Sequence, residues 1–189
     1  MTTSLLLSAT GVYLVGLALL TYLTRATRRR FLGALAGGLT VAVVGVGVEV
    51  LFQTLGFWSY PSVDQRYGPV LMYPLIVLMW AGYSLIGWRV LRRFGWRGET
   101  VFLAVLAVFG TLRDFVIAWQ MPDVIALSPG IATVMVDCAL WSGLTALAQG
   151  VMRLVAGSAT ADRLAYRRWL PHGLYSSPPT ADKVPTHER

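Results

Sequence analysis

Apolar residues fall into five long runs, near residues 4–24, 32–55, 69–91, 100–120 and 130–153, separated by short stretches rich in arginine, proline or aromatic side chains. Each run is long enough to cross a hydrocarbon core that takes about 20 residues of helix. In lipid every backbone polar group must be satisfied internally, and a helix does so within one segment. The pattern therefore predicts an all-α, polytopic bundle of five transmembrane helices over residues 1–157, with no room for a separate soluble domain. Residues 158–189 read as a polar tail, and the part from Ser176 to Arg189, with Pro178, Pro179 and Pro185, is expected to be disordered. The first run has no Lys or Arg ahead of it and no clear small-residue cleavage site, so it reads as a span rather than a signal peptide.

Composition agrees with this class. The chain is 56% hydrophobic and 13% charged, with a mean hydropathy of +0.60, whereas a soluble domain carries about 25% charged residues. Charge sets the orientation. Arg25, Arg28, Arg29 and Arg30 follow the first run, Arg89, Arg92, Arg93 and Arg97 the third, and Arg153, Arg163, Arg167 and Arg168 the fifth. The two remaining connections hold only Arg66 between them. This bias places the N-terminus outside and the C-terminus in the cytoplasm. The net charge of +7 is then a topology signal and a hold on anionic membrane lipids. It gives no support to nucleic-acid binding, because the basic residues are divided among short connections.

Against this apolar background stand Glu49, Asp114, Asp137 and Arg113. Charge at the bilayer centre costs roughly 2.5–3.5 kcal/mol on insertion scales, so such residues face an interior and carry function as the default reading. At about 1.5 Å per residue, Glu49 and Asp114 lie about 22 and 21 Å from the cytoplasmic boundary, and Asp137 about 10 Å below the outer one. In a core about 30 Å thick these heights coincide. Thr10 and Tyr13 on the first span and Tyr73 to Trp80 on the third fall at the same level. Helical spacing puts Phe52 and Gln53 beside Glu49, Thr111 and Ala118 beside Asp114, and Thr133 and Trp141 beside Asp137. Tyr73, Val77, Trp80 and Ser84 make a stripe on the third span. Adjacent helical residues point about 100° apart, which favours Asp137 over Asp114 as the partner of Arg113. Glu49 is left without a cation and is expected to carry a proton at neutral pH. The plainer alternative is that Arg113 and an acid form a structural bridge among ordinary core aromatics.

Other features read as structural. Gly37, Gly38, Gly45 and Gly47 suit close helix packing. Phe57, Trp58, Tyr60 and Tyr67, around Pro61, read as an interfacial aromatic belt with a turn, or as a lid over a cavity. Cys138 is the single cysteine, so no intrachain disulfide forms, and it reads as a small core residue. His172 and His187 lie in the tail, which excludes a histidine-based intramembrane metal site. No nucleotide-binding or redox motif is present, and no metal or other cofactor is implied.

A neutral carboxylic acid among aromatic rings can protonate an alkene or epoxide while π-faces stabilise the cation formed. Glu49, followed by Gly56-Phe57-Trp58-Ser59-Tyr60, Tyr67-Gly68-Pro69 and Tyr73-Pro74-Leu75, resembles small integral-membrane terpenoid enzymes over residues 45–88. These include bacterial indole-sesquiterpene and fungal meroterpenoid cyclases and the membrane carotenoid cyclases and hydratases. The resemblance implies a lipophilic isoprenoid substrate, a bacterial cytoplasmic membrane, and proton donation by Glu49, with Asp114 and Asp137 matched only loosely. Phe52, Gln53, Tyr73, Trp80, Arg113 and Trp141 are the expected substrate contacts. Five spans depart from the seven of the fungal enzymes. Two other classes remain open: a proton- or ion-coupled transporter using the same acids as a relay, and a structural subunit whose charges pair with a partner helix. No inverted repeat favours the transporter. Oligomeric state is not legible.

The orientation predicts a labelling pattern. A cysteine introduced at Ser62 should react with an impermeant thiol reagent from outside the cell, and one at Gly95 only after permeabilisation. The reverse pattern would overturn both the orientation and the shared depth of the acids.

Overall fold

A computed structural model describes residues 3–61 and 72–159. The tail expected beyond Ser158 lies almost wholly outside the described residues. Among the described residues four helices make up the architecture: α1 (Thr3–Thr24), α2 (Arg28–Thr54), α3 (Met72–Gln120) and α4 (Ile131–Ala156). Two short strands, β1 (Trp58–Ser59) and β2 (Ala126–Leu127), pair in the loops. All four helices are long and apolar enough to cross a membrane, as an integral membrane protein requires.

Five runs in the sequence become four helices because the third and fourth are joined in α3, 49 residues long. Gly95 interrupts it with φ 64° and ψ −159°, a backbone region open to glycine because it lacks a Cβ. The two arms fold back on each other there. Met79 and Arg113 touch although 34 residues apart, and a straight helix would separate them by about 51 Å. A Cβ on Gly87 would likewise meet the Phe102 ring at 2.8 Å.

Helices α2, α3 and α4 pack on one another, while α1 packs chiefly on α3. The core forms two layers. Leu17, Ala34, Ala81, Leu85, Trp88 and Met152 fill one; Val41, Met79, Trp80, Ala107, Trp141 and Ala148 fill the other. The first layer adjoins the arginine-rich end. There Arg89 donates to the Leu23 carbonyl at 2.8 Å, Arg153 pairs with Glu99, and the Thr27 hydroxyl caps α2 by accepting from Arg30 N at 3.4 Å. The opposite end is closed by the loops. Trp58 pairs with Leu127 and Ser59 with Ala126 in antiparallel register. Ser128 N donates to the Phe57 carbonyl at 2.8 Å, its hydroxyl donates to the Gly56 carbonyl, and Gly56 makes the turn out of α2 at φ 78°.

The glycines of α2 divide into two kinds. A Cβ on Gly37 would lie 2.6 Å from the Ala148 carbonyl oxygen, and one on Gly38 2.3 Å from that of Val77. These two bring α2 against α4 and α3. Gly45 and Gly47 have nothing within 4 Å of an added Cβ, so the packing role expected of all four belongs to the first pair.

Gly38→Ala should therefore destabilise the bundle by about 1–3 kcal/mol, the usual cost of overpacking, while Gly45→Ala should be neutral or slightly stabilising through helix propensity. Thermal unfolding of the two variants in the same detergent would separate them. Equal effects would contradict the backbone approach at Gly38.

Candidate functional site

Glu49 lies near the end of α2, and the chain that follows turns back over it. After the Gly56 turn, β1 runs extended, and its pairing with β2 fixes its direction. In an extended segment alternate side chains share a face, so Trp58 and Tyr60 point together into the bundle while Ser59 is exposed. Trp58 Nε1 donates to Glu49 Oε2 at 3.1 Å and the Tyr60 hydroxyl donates to the same oxygen at 2.7 Å. Both rings are buried, at 8% and 7% exposure. Of the two readings of this loop, belt or lid, their burial favours the lid, and they are the partners that Glu49 lacked in the sequence. Burial, and then the Glu49 carboxylate beside it, hold the Tyr60 phenol above its ordinary value. Phe52 stacks on Trp58 with centroids 5.2 Å apart and meets Phe57 edge-on at 5.5 Å. The buried Gln53 side-chain nitrogen has no hydrogen-bond partner among the described residues.

The second group centres on Asp114. Its Oδ1 accepts from Arg113 Nε at 2.9 Å and Nη2 at 2.6 Å, and its Oδ2 accepts from Trp141 Nε1 at 2.8 Å. The expected Arg113–Asp137 pairing is thus replaced by Arg113–Asp114. Divergent Cα–Cβ directions did not decide the matter, because the long arginine side chain curls back and brings two N–H groups onto one oxygen. The guanidinium also lies 4.9 Å from the Trp141 ring centroid, and Nη1 donates to the Met79 sulfur at 3.1 Å. Trp141 stands against Gly110, where a Cβ would approach its ring to 2.0 Å. Trp80 and Tyr83 complete a three-ring cluster with it: Trp80–Trp141 centroids are 5.1 Å apart, Trp80–Tyr83 5.8 Å and Tyr83–Trp141 6.2 Å.

Asp137 is the third acid, buried at 8% exposure. The Thr111 hydroxyl lies near its carboxyl and donates to the Cys138 sulfur at 3.2 Å. Oδ2 of Asp137 has no hydrogen-bond partner among the described residues. Asp114 links the acids: its charge acts on Glu49 on one side and on Asp137 on the other, and Arg113 also acts on Asp137. Tyr73 lies close enough to Tyr60 to interact with it electrostatically. Glu49, Asp114, Asp137, Arg113, Trp80 and Trp141 are thus brought to one end of the bundle, while Phe52 sits with the Trp58 clasp. Trp58, Tyr60, Met79 and Tyr83 are the members that the sequence reading missed. The signal for two of them was present in Trp58-Ser59-Tyr60, whose alternation is that of a strand with one buried face.

An apolar groove of about 270 Å³ runs between α1 and the first arm of α3. Leu17 and Leu20 line one wall and Leu78 and Ile86 the other, Gly16 and Gly82 add no side chain, and Tyr13, Met79 and Tyr83 carry it to the Arg113 side. Among the described residues no cluster of His, Cys, Asp and Glu is arranged to hold a metal ion. No protein-family model, curated protein or solved structure matches the chain.

Removing a donor from Glu49 should cost about 1–3 kcal/mol, since a buried acceptor loses a partner. The pH dependence identifies Tyr60 more specifically. Its phenol stays protonated in the folded protein above the ordinary value of 10.0, so above that pH the folded state binds more protons than the unfolded one and stability falls as pH rises. The thermal midpoint of the wild type should drop between pH 9.5 and 11 (roughly the span of an unfolded phenol's titration), and that of Tyr60→Phe should start lower and drop less steeply. Parallel curves would remove Tyr60 from the buried clasp.

Proposed function

We propose that this protein is a membrane-embedded enzyme that transfers a proton to a lipophilic isoprenoid and directs cyclisation or isomerisation of the resulting carbocation. In this reading both arms of α3 cross the bilayer, giving five crossings, with the N-terminus outside and the C-terminus in the cytoplasm. The gathering of arginine-bearing turns at one end of the bundle supports that orientation. The observation that carries the function is the gathering of three carboxyl groups from α2, α3 and α4 beside the Trp80–Tyr83–Trp141 cluster, next to an apolar groove between helices.

Each acid takes a distinct role. Trp58 and Tyr60 both bond Oε2 of Glu49, so in the neutral acid the proton sits on Oε1. From there it passes to an alkene carbon or an epoxide oxygen, leaving a cation on the substrate and a carboxylate on Glu49. A second alkene of the substrate attacks the cation and closes the ring. Loss of a proton to a carboxylate then restores a neutral product. Asp137, with an unpartnered oxygen, is the group suited to exchange that proton. Asp114 is held by two Arg113 N–H groups and Trp141, and it orients the ring while setting the negative potential of the site. The faces of Trp80, Tyr83 and Trp141 stabilise cationic intermediates. The groove admits a hydrocarbon chain sideways from the lipid.

Glu49→Gln keeps size and hydrogen bonding but removes the transferable proton. In membranes supplied with polyprenyl or prenylated aromatic substrates, mass-spectrometric turnover should fall by about 10²–10⁴-fold, and Asp137→Asn should also slow it. Trp80→Phe should cost less than Trp80→Leu, because a smaller ring still offers a π-face. A folded Glu49→Gln protein with undiminished turnover would sink the donor assignment. Proton flux in liposomes dependent on the same acids, with no isoprenoid converted, would replace the enzyme reading by a transporter.

A further inference from the structure

Helix α4 carries a polar residue at every fourth position along its whole length: Thr133, Asp137, Trp141, Thr145, Gln149 and Arg153. Neighbours four residues apart lie one above the other, and the row winds round the helix by about 40° per step, yet its members from Thr133 to Gln149 are all turned inward. Exposure is 2% at Thr133, 8% at Asp137, 5% at Trp141, 1% at Thr145 and 1% at Gln149. Thus an otherwise apolar helix presents an unbroken polar column to the interior, from the acid cluster at one end to the Arg153–Glu99 pair at the arginine-rich end.

Interhelical hydrogen bonding is the usual purpose of polar residues in a membrane bundle, and here it accounts for only part of the column. Gln149 Nε2 donates to the Ser84 and Tyr83 carbonyls at 3.2 and 3.4 Å, in a seat left by Gly87, where a Cβ would meet that nitrogen at 2.1 Å. The Thr145 hydroxyl bonds back to the Trp141 carbonyl at 2.6 Å. Yet Gln149 Oε1, Ser84 Oγ, Trp88 Nε1, Arg153 Nε and Asp137 Oδ2 are all buried without a hydrogen-bond partner among the described residues. Ser84 and Trp88 are 1% and 3% exposed and stand one turn apart on α3, and the Ser84 carbonyl accepts from Gln149. An unpaired buried amide or hydroxyl costs roughly 1–3 kcal/mol, so these buried groups call for hydrogen-bond partners. Trp88 offers a donor, Gln149 Oε1 an acceptor and Ser84 either, which is the set that a buried water with about three hydrogen bonds requires.

We propose that this column binds a file of water molecules and carries protons between Asp137 and the arginine-rich face of the bundle. Waters held by Gln149, Ser84, Trp88 and Thr145 form the path; each receives one proton on its oxygen and releases another. One proton therefore leaves water at the Arg153–Glu99 end as one joins the Asp137 carboxylate, or the reverse. The inference deepens the proposed function and rests on it only in treating Asp137 as a proton-exchanging group; the path itself is independent of the substrate.

The test reads Asp137 directly, without an isoprenoid. Full-length protein carrying ¹³C-carboxyl aspartate is reconstituted in lipid at a pH acid enough to protonate Asp137, and its carboxylic C=O infrared band is assigned by its loss in Asp137→Asn. After a switch from H₂O to D₂O, the wild-type band should shift promptly. In Gln149→Met, which keeps side-chain length but removes the amide, the shift should slow about tenfold, as loss of one hydrogen bond from the path's barrier implies. Thr145→Val should slow it in the same direction, and circular dichroism and size-exclusion profiles would show both variants folded. As a second readout, the Trp88 indole N–H, assigned by Trp88→Phe, should show a nuclear Overhauser contact to water that is lost in Gln149→Met. Unchanged Asp137 exchange in both folded variants, or a Trp88 N–H without contact to water, would overturn the proposal. Failure of isoprenoid turnover alone would bear on the enzyme reading and leave these signals unaffected.

Discussion

Charge buried among apolar helices has to find partners, and most of this structure's specific geometry follows from how Glu49, Asp114, Asp137 and Arg113 do so. The apolar runs alone would pack in many ways, since lipid tails are as apolar as leucine and give no hydrophobic drive for one helix pairing over another. Hydrogen bonds to the charges select one arrangement. Asp114 ties the second arm of α3 to α4 through Trp141, and Arg113 ties it to the first arm through Met79. Glu49 draws the loop after α2 inward through Trp58 and Tyr60. That loop then meets the one before α4 in the β1–β2 pair. The charges thus connect all three helices of the central bundle, and the closed end is built around them.

Close backbone contact does the remaining work. Gly37 and Gly38 let α2 approach α4 and α3, and Gly110 lets Trp141 lie flat where its indole can reach Asp114. Glycine serves a different purpose at Gly95, where a positive φ allows two helical arms to fold back with little intervening loop. The site therefore depends on small residues far apart in the chain as much as on the acids themselves.

The fold class and the helix positions were legible because each run is uniformly apolar over a membrane's width; the ends of α1, α2 and α4 fall within a few residues of the expected bounds. The break between the arms of α3 was legible from the composition of Arg92–Glu99, but not that Gly95 alone makes it. That Asp114 lies near both Glu49 and Asp137 could be read from helical rise, because rise per residue is nearly constant. Their partners could not. Arg113 chose Asp114 through side-chain flexibility that a helical wheel ignores, and Trp58 and Tyr60 were turned inward by a two-residue strand pairing with a segment about 70 residues distant, a contact beyond local pattern. The column on α4 was half visible as Thr133, Asp137 and Trp141; its continuation through Thr145 and Gln149 gains meaning only beside Ser84 and Trp88 of α3.

The central claim is that three acids from separate helices form one interior site, clasped at one edge by the loop after α2. An experimental structure of the protein in a lipid nanodisc tests it most directly. The account predicts Glu49, Asp114 and Asp137 turned into a common interior, with Trp58 and Tyr60 on the Glu49 carboxylate and Trp141 on that of Asp114. A carboxyl group turned to lipid, or a loop after α2 lying away from Glu49, would contradict it.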